Sequence, residues 1–190
     1  MQRIHINGQQ LEVRLIEGHA KAASIVYLHE GLGSVSMWTQ RGVDWPLAVC
    51  QASGRAGVVY SRRGYGQSDP APSGRYILQS DYLHREAFEV LPALLAELQI
   101  DRPVVLGHSD GASIALLHAS RFNVAACIAM APHVMVESIA TDAIFQARSA
   151  FEAGILRRQL ARYHADVDGA FWQWNDVWLS AAFSHFYIRQ

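Results

Sequence analysis

The chain has 190 residues, 51% of them hydrophobic and 17% charged, with a net charge of −1 at pH 7. That size and balance predict one globular domain, able to bury about 70% of its unfolded surface, and exclude a disordered chain. Mixed charge of near-zero sum gives no basic field for nucleic acid, and no segment reaches the roughly 20 apolar residues of a membrane span.

The N-terminus, Met1-Gln2-Arg3-Ile4-His5, lacks the basic stretch and apolar run of a signal peptide. Cys50 and Cys127 lie among apolar neighbours and read as free, buried thiols. Both features predict a cytoplasmic protein. Residues 3–16 alternate around Asn7-Gly8, the signal of a two-residue hairpin. Short apolar runs follow at Ala23–Leu28, Gly57–Ser61, Pro103–Leu106 and Val124–Met130. Runs apolar on both faces predict strands of a sheet covered on both sides. Between them, Leu83, Ala87, Val90, Leu91, Leu94 and Leu98 recur at helical spacing, so residues 81–99 bury one helical stripe, with Pro92 expected to kink the helix or shift a boundary. Strands alternating with helices, behind a leading hairpin, predict a mostly parallel α/β sheet.

Residues 104–113 read Val-Val-Leu-Gly-His-Ser-Asp-Gly-Ala-Ser. Gly107-His108-Ser109-Asp110-Gly111 fits the G-x-S-x-G pattern, set between a strand and the small-residue start of a helix. A tight strand-to-helix turn needs small neighbours, and it exposes the serine hydroxyl beside the backbone N–H of Asp110. The helix N-terminus adds a favourable field for negative charge developing there.

After Pro132 the composition changes. Residues 137–164 read as two helices separated by Gly154, with Arg157, Arg158 and Arg162 on an exposed face. Residues 171–187 hold Phe171, Trp172, Trp174, Trp178, Phe183, Phe186 and Tyr187, read as packing of a helical cap and as a wall for an acyl group. The predicted division is a core over 1–136 and a cap segment over 137–190. The chain has no internal repeat and no low-complexity tract.

Taken together, the chain resembles the α/β-hydrolase family. The resemblance rests on His29-Glu30-Gly31-Leu32-Gly33 after the third strand and Ser61-Arg62-Arg63-Gly64-Tyr65-Gly66-Gln67-Ser68-Asp69 after the fourth. The serine turn at 107–111 follows the fifth, and Ala131-Pro132-His133 follows the sixth. It covers residues 5–135 well and the cap more loosely; many relatives carry Asp where this chain has Ser61. The resemblance implies an α/β-hydrolase-like fold, Ser109 as nucleophile, and an oxyanion hole from the backbone N–H groups of Gly31 and Asp110. It implies no metal and no cofactor.

Relatives place the acid and the histidine of the triad on loops after later strands. This chain ends at Gln190 before such strands, so it resembles the N-terminal two-thirds of a hydrolase with an incomplete C-terminus. A serine without a base is a weak nucleophile. His133 has the right topological position for a base, just past the sixth strand on the edge where ligands bind, with Glu137 as a candidate to orient it. His108, His164 and His185 are read as structural or surface residues, and His164 with Asp166 and Asp168 does not have the look of a metal site. Asp69 is expected to fix its own loop, and His29 to pack within its turn.

Two readings follow. One is a serine hydrolase of a small ester or related carbonyl compound. The other is a catalytically inactive, truncated hydrolase-like binding module or a degraded gene product. Relatives with these motifs cleave esters, amides, peptides with N-terminal proline, and carbon–carbon bonds of diketones, so the substrate stays open. A sixth strand left at the sheet edge predicts a folded-back cap, association of two copies, or partial disorder, and self-association is the expected outcome.

Overall fold

The computed structural model describes residues 1–19, 21–71 and 78–188. Strands β1 (Gln2–Ile6) and β2 (Gln9–Ile16) form the predicted hairpin, with Ile6 opposite Gln9. Asn7 and Gly8 both take positive φ, 49° and 80°, the backbone of a type I′ turn. Next come β3 (Ile25–Leu28), a short 3₁₀ turn (Val35–Trp38), and a small ribbon of β4 (Thr39–Gln40) and β5 (Val43–Asp44). Helix α1 (Trp45–Ser53) starts where the Asp44 carboxylate accepts the N–H of Leu47 at 3.1 Å, and Pro46 lies in its first turn. Strand β6 (Gly57–Tyr60) follows.

The predicted 81–99 helix is three pieces in line: α2 (Tyr82–Arg85), a wide π-turn (Glu86–Val90) and α3 (Leu91–Glu97). The N–H of Leu91 reaches back five residues to the carbonyl of Glu86. Pro92 has no N–H to donate, and the wide turn absorbs that break without ending the element. Then come β7 (Val104–His108), α4 (Asp110–Arg121) and β8 (Ala126–Met130). Helices α5 (Ser138–Glu152), α6 (Ile155–Leu160) and α7 (Val167–Trp178), with a 3₁₀ turn at Phe183–His185, complete the chain; Gly154 separates α5 from α6 as expected.

The main sheet runs β1-β2-β6-β3-β7-β8, with β6, β3, β7 and β8 parallel and the hairpin antiparallel at one side. Alternate strand residues face opposite layers. Val26, Leu28, Val58, Tyr60 and Val105 pack under α2 to α4, while Tyr27, Val59, Val104 and Leu106 pack with Cys50 of α1. Trp178, Phe183 and Phe186 belong to the first of these cores, whereas Phe151, Leu160, Val167 and Phe171 form a separate cluster within α5 to α7. Among the described residues β8 pairs with β7 and with no other strand, and Ile128 is 44% exposed. The tail turns back beside the segment after β8, where Ile188 N–H donates to the carbonyl of Val134 at 2.8 Å. Cys50 and Cys127 are free thiols, the first buried and the second half-buried. No helix among the described residues is long and apolar enough to cross a membrane.

Candidate active site

Strand β7 delivers His108 to its C-terminal end, Ser109 makes the turn, and Asp110 opens α4. Ser109 sits at φ 53° and ψ −118°, a costly conformation for a residue with a side chain. Its surroundings hold it there: Ser109 N–H donates to the carbonyl of Met130, and the N–H groups of Ala112 and Ser113 donate to its own carbonyl. A side chain on Gly111 would overlap the carbonyl of Leu28, so α4 can lie close against β3 only with glycine there.

Ser109 Oγ lies 3.1 Å from Nε2 of His133. The structure thus brings together the serine and the one histidine whose topological position suited a base. Ser113 fixes the latter. Its hydroxyl donates to the His133 carbonyl at 2.7 Å and accepts the His133 N–H at 3.0 Å. The edge of the His133 ring meets the indole of Trp178, with centroids 4.7 Å apart. Trp178 Nε1–H donates to the hydroxyl of Tyr82, which donates in turn to the Asp110 carboxylate at 2.6 Å.

Glu137 is not brought to His133. It is exposed at the N-cap of α5, and among the described residues no carboxylate hydrogen-bonds the His133 ring. His164 is buried and structural: Nδ1 accepts the Gly66 N–H, which leaves Nε2–H to donate to the Leu32 carbonyl. His185 lies in the exposed tail, and Asp69 accepts the Gln10 N–H as a loop-fixing residue. Asp166 caps α7 and Asp168 pairs with Arg157, so neither joins His164. Among the described residues no group of histidine, cysteine and carboxylate side chains could hold a metal ion.

Gly31 and Asp110 line the same cavity as Ser109, about 410 Å³ in volume, and no protein group among the described residues accepts from their backbone N–H groups. A side chain on Gly31 would overlap the indole nitrogen of Trp174. The rest of the wall is mainly apolar, from Leu32, Ala140, Ile144, Trp174 and Trp178. Beneath it, His29 is 1% exposed; its Nε2 accepts the Arg62 N–H and its Nδ1–H donates to the Glu30 carbonyl at 2.7 Å. Burial, together with the adjacent Arg62 guanidinium, holds its pKa well below the ordinary value, so the ring is neutral.

One pair was not legible in the sequence. His108 Nδ1 lies 3.6 Å from Glu30 Oε2, across the gap between the ends of β7 and β3. The adjacent Glu30 carboxylate raises the His108 pKa against partial burial. Burial opposes ionisation of Glu30, but the neighbouring His108 and the positive charge of Arg62 outweigh it and lower its pKa. Glu30 and His108 stand inside the motifs singled out above, yet nothing local ties one to the other.

A family model described as the alpha/beta hydrolase family matches residues 25–189. Among solved structures, the enol-lactonase from Burkholderia xenovorans LB400 is 18% identical with a TM-score of 0.64, over 94% of this chain and 74% of that one. A carboxylesterase structure from the ammonia-oxidizing thaumarchaeon Nitrososphaera gargenis is 19% identical with a TM-score of 0.65, over 95% of this chain and 70% of that one. Epoxide hydrolase A from Mycobacterium thermoresistibile is 21% identical with a TM-score of 0.52, over 66% and 37%. No curated protein sequence matches. The strand order, the serine turn and the match over residues 25–189 agree, and the chain belongs to the α/β-hydrolase family.

Proposed function

We propose that the chain hydrolyses a small carboxylic ester through an acyl-enzyme on Ser109. The observation that carries this reading is the 3.1 Å contact between Ser109 Oγ and His133 Nε2. With Nε2 unprotonated, the serine hydroxyl donates to it, and His133 takes the proton as Oγ bonds to the ester carbonyl carbon. The carbonyl oxygen becomes an oxyanion, which the N–H groups of Gly31 and Asp110 stabilise at the start of α4. His133 then returns the proton to the departing alkoxide oxygen as its bond to carbon breaks. Water, deprotonated by the same nitrogen, hydrolyses the acyl-enzyme to the acid and frees Ser109. The apolar cavity suits an uncharged acyl group. The lactonase and esterase among the structural neighbours act on the same kind of acyl–oxygen bond, which supports the ester class.

A second reading, an inert binding scaffold, is favoured by the absence of a carboxylate on His133 among the described residues. Losing the acid that orients the base drops kcat about 10⁴-fold in a complete triad, so slow turnover is the expected behaviour. The test is single labelling by a fluorophosphonate, alongside hydrolysis of p-nitrophenyl acetate. Ser109→Ala is expected to abolish both, and His133→Ala to slow labelling about 100-fold or more. A wild-type chain that never labels establishes the inert scaffold, and undiminished labelling of His133→Ala assigns the base elsewhere.

A further inference from the structure

A second cavity, about 360 Å³, lies directly beside the first, and the two share Glu30 and His108 as walls. Its remaining surface is largely aromatic and thioether: Met37, Trp38, Trp45 and Met130, with Val43. Trp38 and Trp45 are stacked, with ring centroids 5.7 Å apart and planes inclined by 14°. Both meet Tyr27 edge-on, at 5.6 and 6.3 Å, and Tyr27 is fully buried in the core beneath. The β4–β5 ribbon supplies Val43, and the Asp44 cap of α1 fixes Trp45. These walls are built into the fold rather than hung on a loose loop.

Among the described residues, the ionisable groups on the cavity are Glu30 and His108, which face each other at 3.6 Å. Among the described residues no lysine or arginine faces it to hold a carboxylate or phosphate, and Gln40 adds an uncharged polar wall. Such a chamber takes a flat, uncharged, aromatic group. Its position ties that group to one arm of a substrate reacting at Ser109. Acyl transfer at Ser109 needs two arms that diverge from one carbonyl carbon, the acyl chain and the leaving alcohol. Gly31, a proposed oxyanion donor, follows Glu30 directly, and Ser109 follows His108, so both cavities meet at the reacting carbon. The cavity that contains Ser109 is walled by the α5 and α7 residues Ala140, Ile144, Trp174 and Trp178.

Resting on the acyl-transfer reading above, we infer that the second cavity is the leaving-group subsite. The substrates are then esters of aromatic alcohols, with the acyl chain under α5 and α7 and the aryl ring between Trp45 and Met130. The Glu30–His108 pair is the partition between the two arms.

Two measurements separate this inference from the reading it rests on. Calorimetric titration of Ser109→Ala protein with 2-naphthol tests the subsite without turnover. Saturable binding is expected, weakened about tenfold by Trp45→Ala, the loss of one aromatic contact. Val43→Trp, placed at a half-exposed rim position where folding is undisturbed, is expected to fill the chamber and weaken binding similarly. In otherwise wild-type protein, the ratio of kcat/KM for 2-naphthyl acetate over ethyl acetate is expected to fall about tenfold in each variant. Naphthol binding without any ester turnover sustains the subsite and removes the role given to Ser109. Ester turnover whose ratio is unmoved by both substitutions, or naphthol binding insensitive to both or absent, overturns the subsite and leaves Ser109 in place.

Discussion

Ser113 holds both backbone polar groups of His133 with a single hydroxyl, and it is itself fully buried. Removing that hydroxyl leaves a half-buried N–H and carbonyl without their partner, at a cost of about 1 kcal/mol. The loss falls on the segment that sets the Ser109–His133 distance. Ser113→Ala is therefore expected to lower kcat about tenfold or more while KM for p-nitrophenyl acetate changes little, because the apolar wall is untouched. A KM rise with kcat preserved is the contrary outcome. Another residue-scale finding concerns Ser61, which stands where many relatives carry Asp. Its hydroxyl donates to Glu12 Oε2 at 2.7 Å and accepts the Val35 N–H at 2.9 Å, and the same carboxylate oxygen accepts Gln67 N–H. The carboxylate that ties this turn together thus comes from β2. Gly31 entered only through the family resemblance, whereas the Ser109–Asp110 turn was legible because its geometry is written in adjacent residues. Ser61–Glu12, Glu30–His108 and Ser113–His133 were not, since each joins segments that only the folded sheet brings together.

Elements show the same division between local and distant information. The Asn7-Gly8 hairpin is read directly because turn chemistry and alternation agree within 15 residues. The β4–β5 ribbon escaped notice because two-residue strands carry no alternation. Pro92 announced a fault in its helix, but sequence alone could not say that a wide turn would absorb it. Strand β8 was expected to lie at the sheet edge, and among the described residues it does. Its sequence, Ala-Cys-Ile-Ala-Met, has no charged residue or proline to discourage pairing. We expect concentration-dependent self-association of the chain, measured by light scattering after size exclusion, and Ile128→Lys is expected to shift it towards monomer. A wild-type chain monomeric at every concentration refutes this.

At the scale of the molecule, three buried imidazoles set how stability responds to acid. Burial lowers the pKa values of His29, His118 and His164, with the Arg62 charge adding to the effect on His29. Their ordinary value is about 6.5, so below that pH the unfolded chain binds protons that the folded chain refuses. Their contribution to stability is present above about pH 6.5 and is lost as pH falls from there through the lowered folded values. His108 acts in the opposite sense: its pKa is raised, so its contribution is present in acid and lost as pH rises through the folded value. With His108 half-exposed and the others buried, the net expectation is a lower unfolding midpoint at pH 5 than at pH 7.5, measured by circular dichroism. An unchanged or higher midpoint at pH 5 contradicts it. The helices that roof the site share in this common stability, since Trp178 at the end of α7 and Phe183 and Phe186 beyond it pack with Tyr82, Leu83 and Ile114 in one core. A roof rooted in the foundation is not an exchangeable cassette. Grafting the 138–178 segment of another hydrolase here would also remove the indole that holds Tyr82, so specificity in this chain can diversify by point substitution along α5 and α7 more readily than by swapping lids.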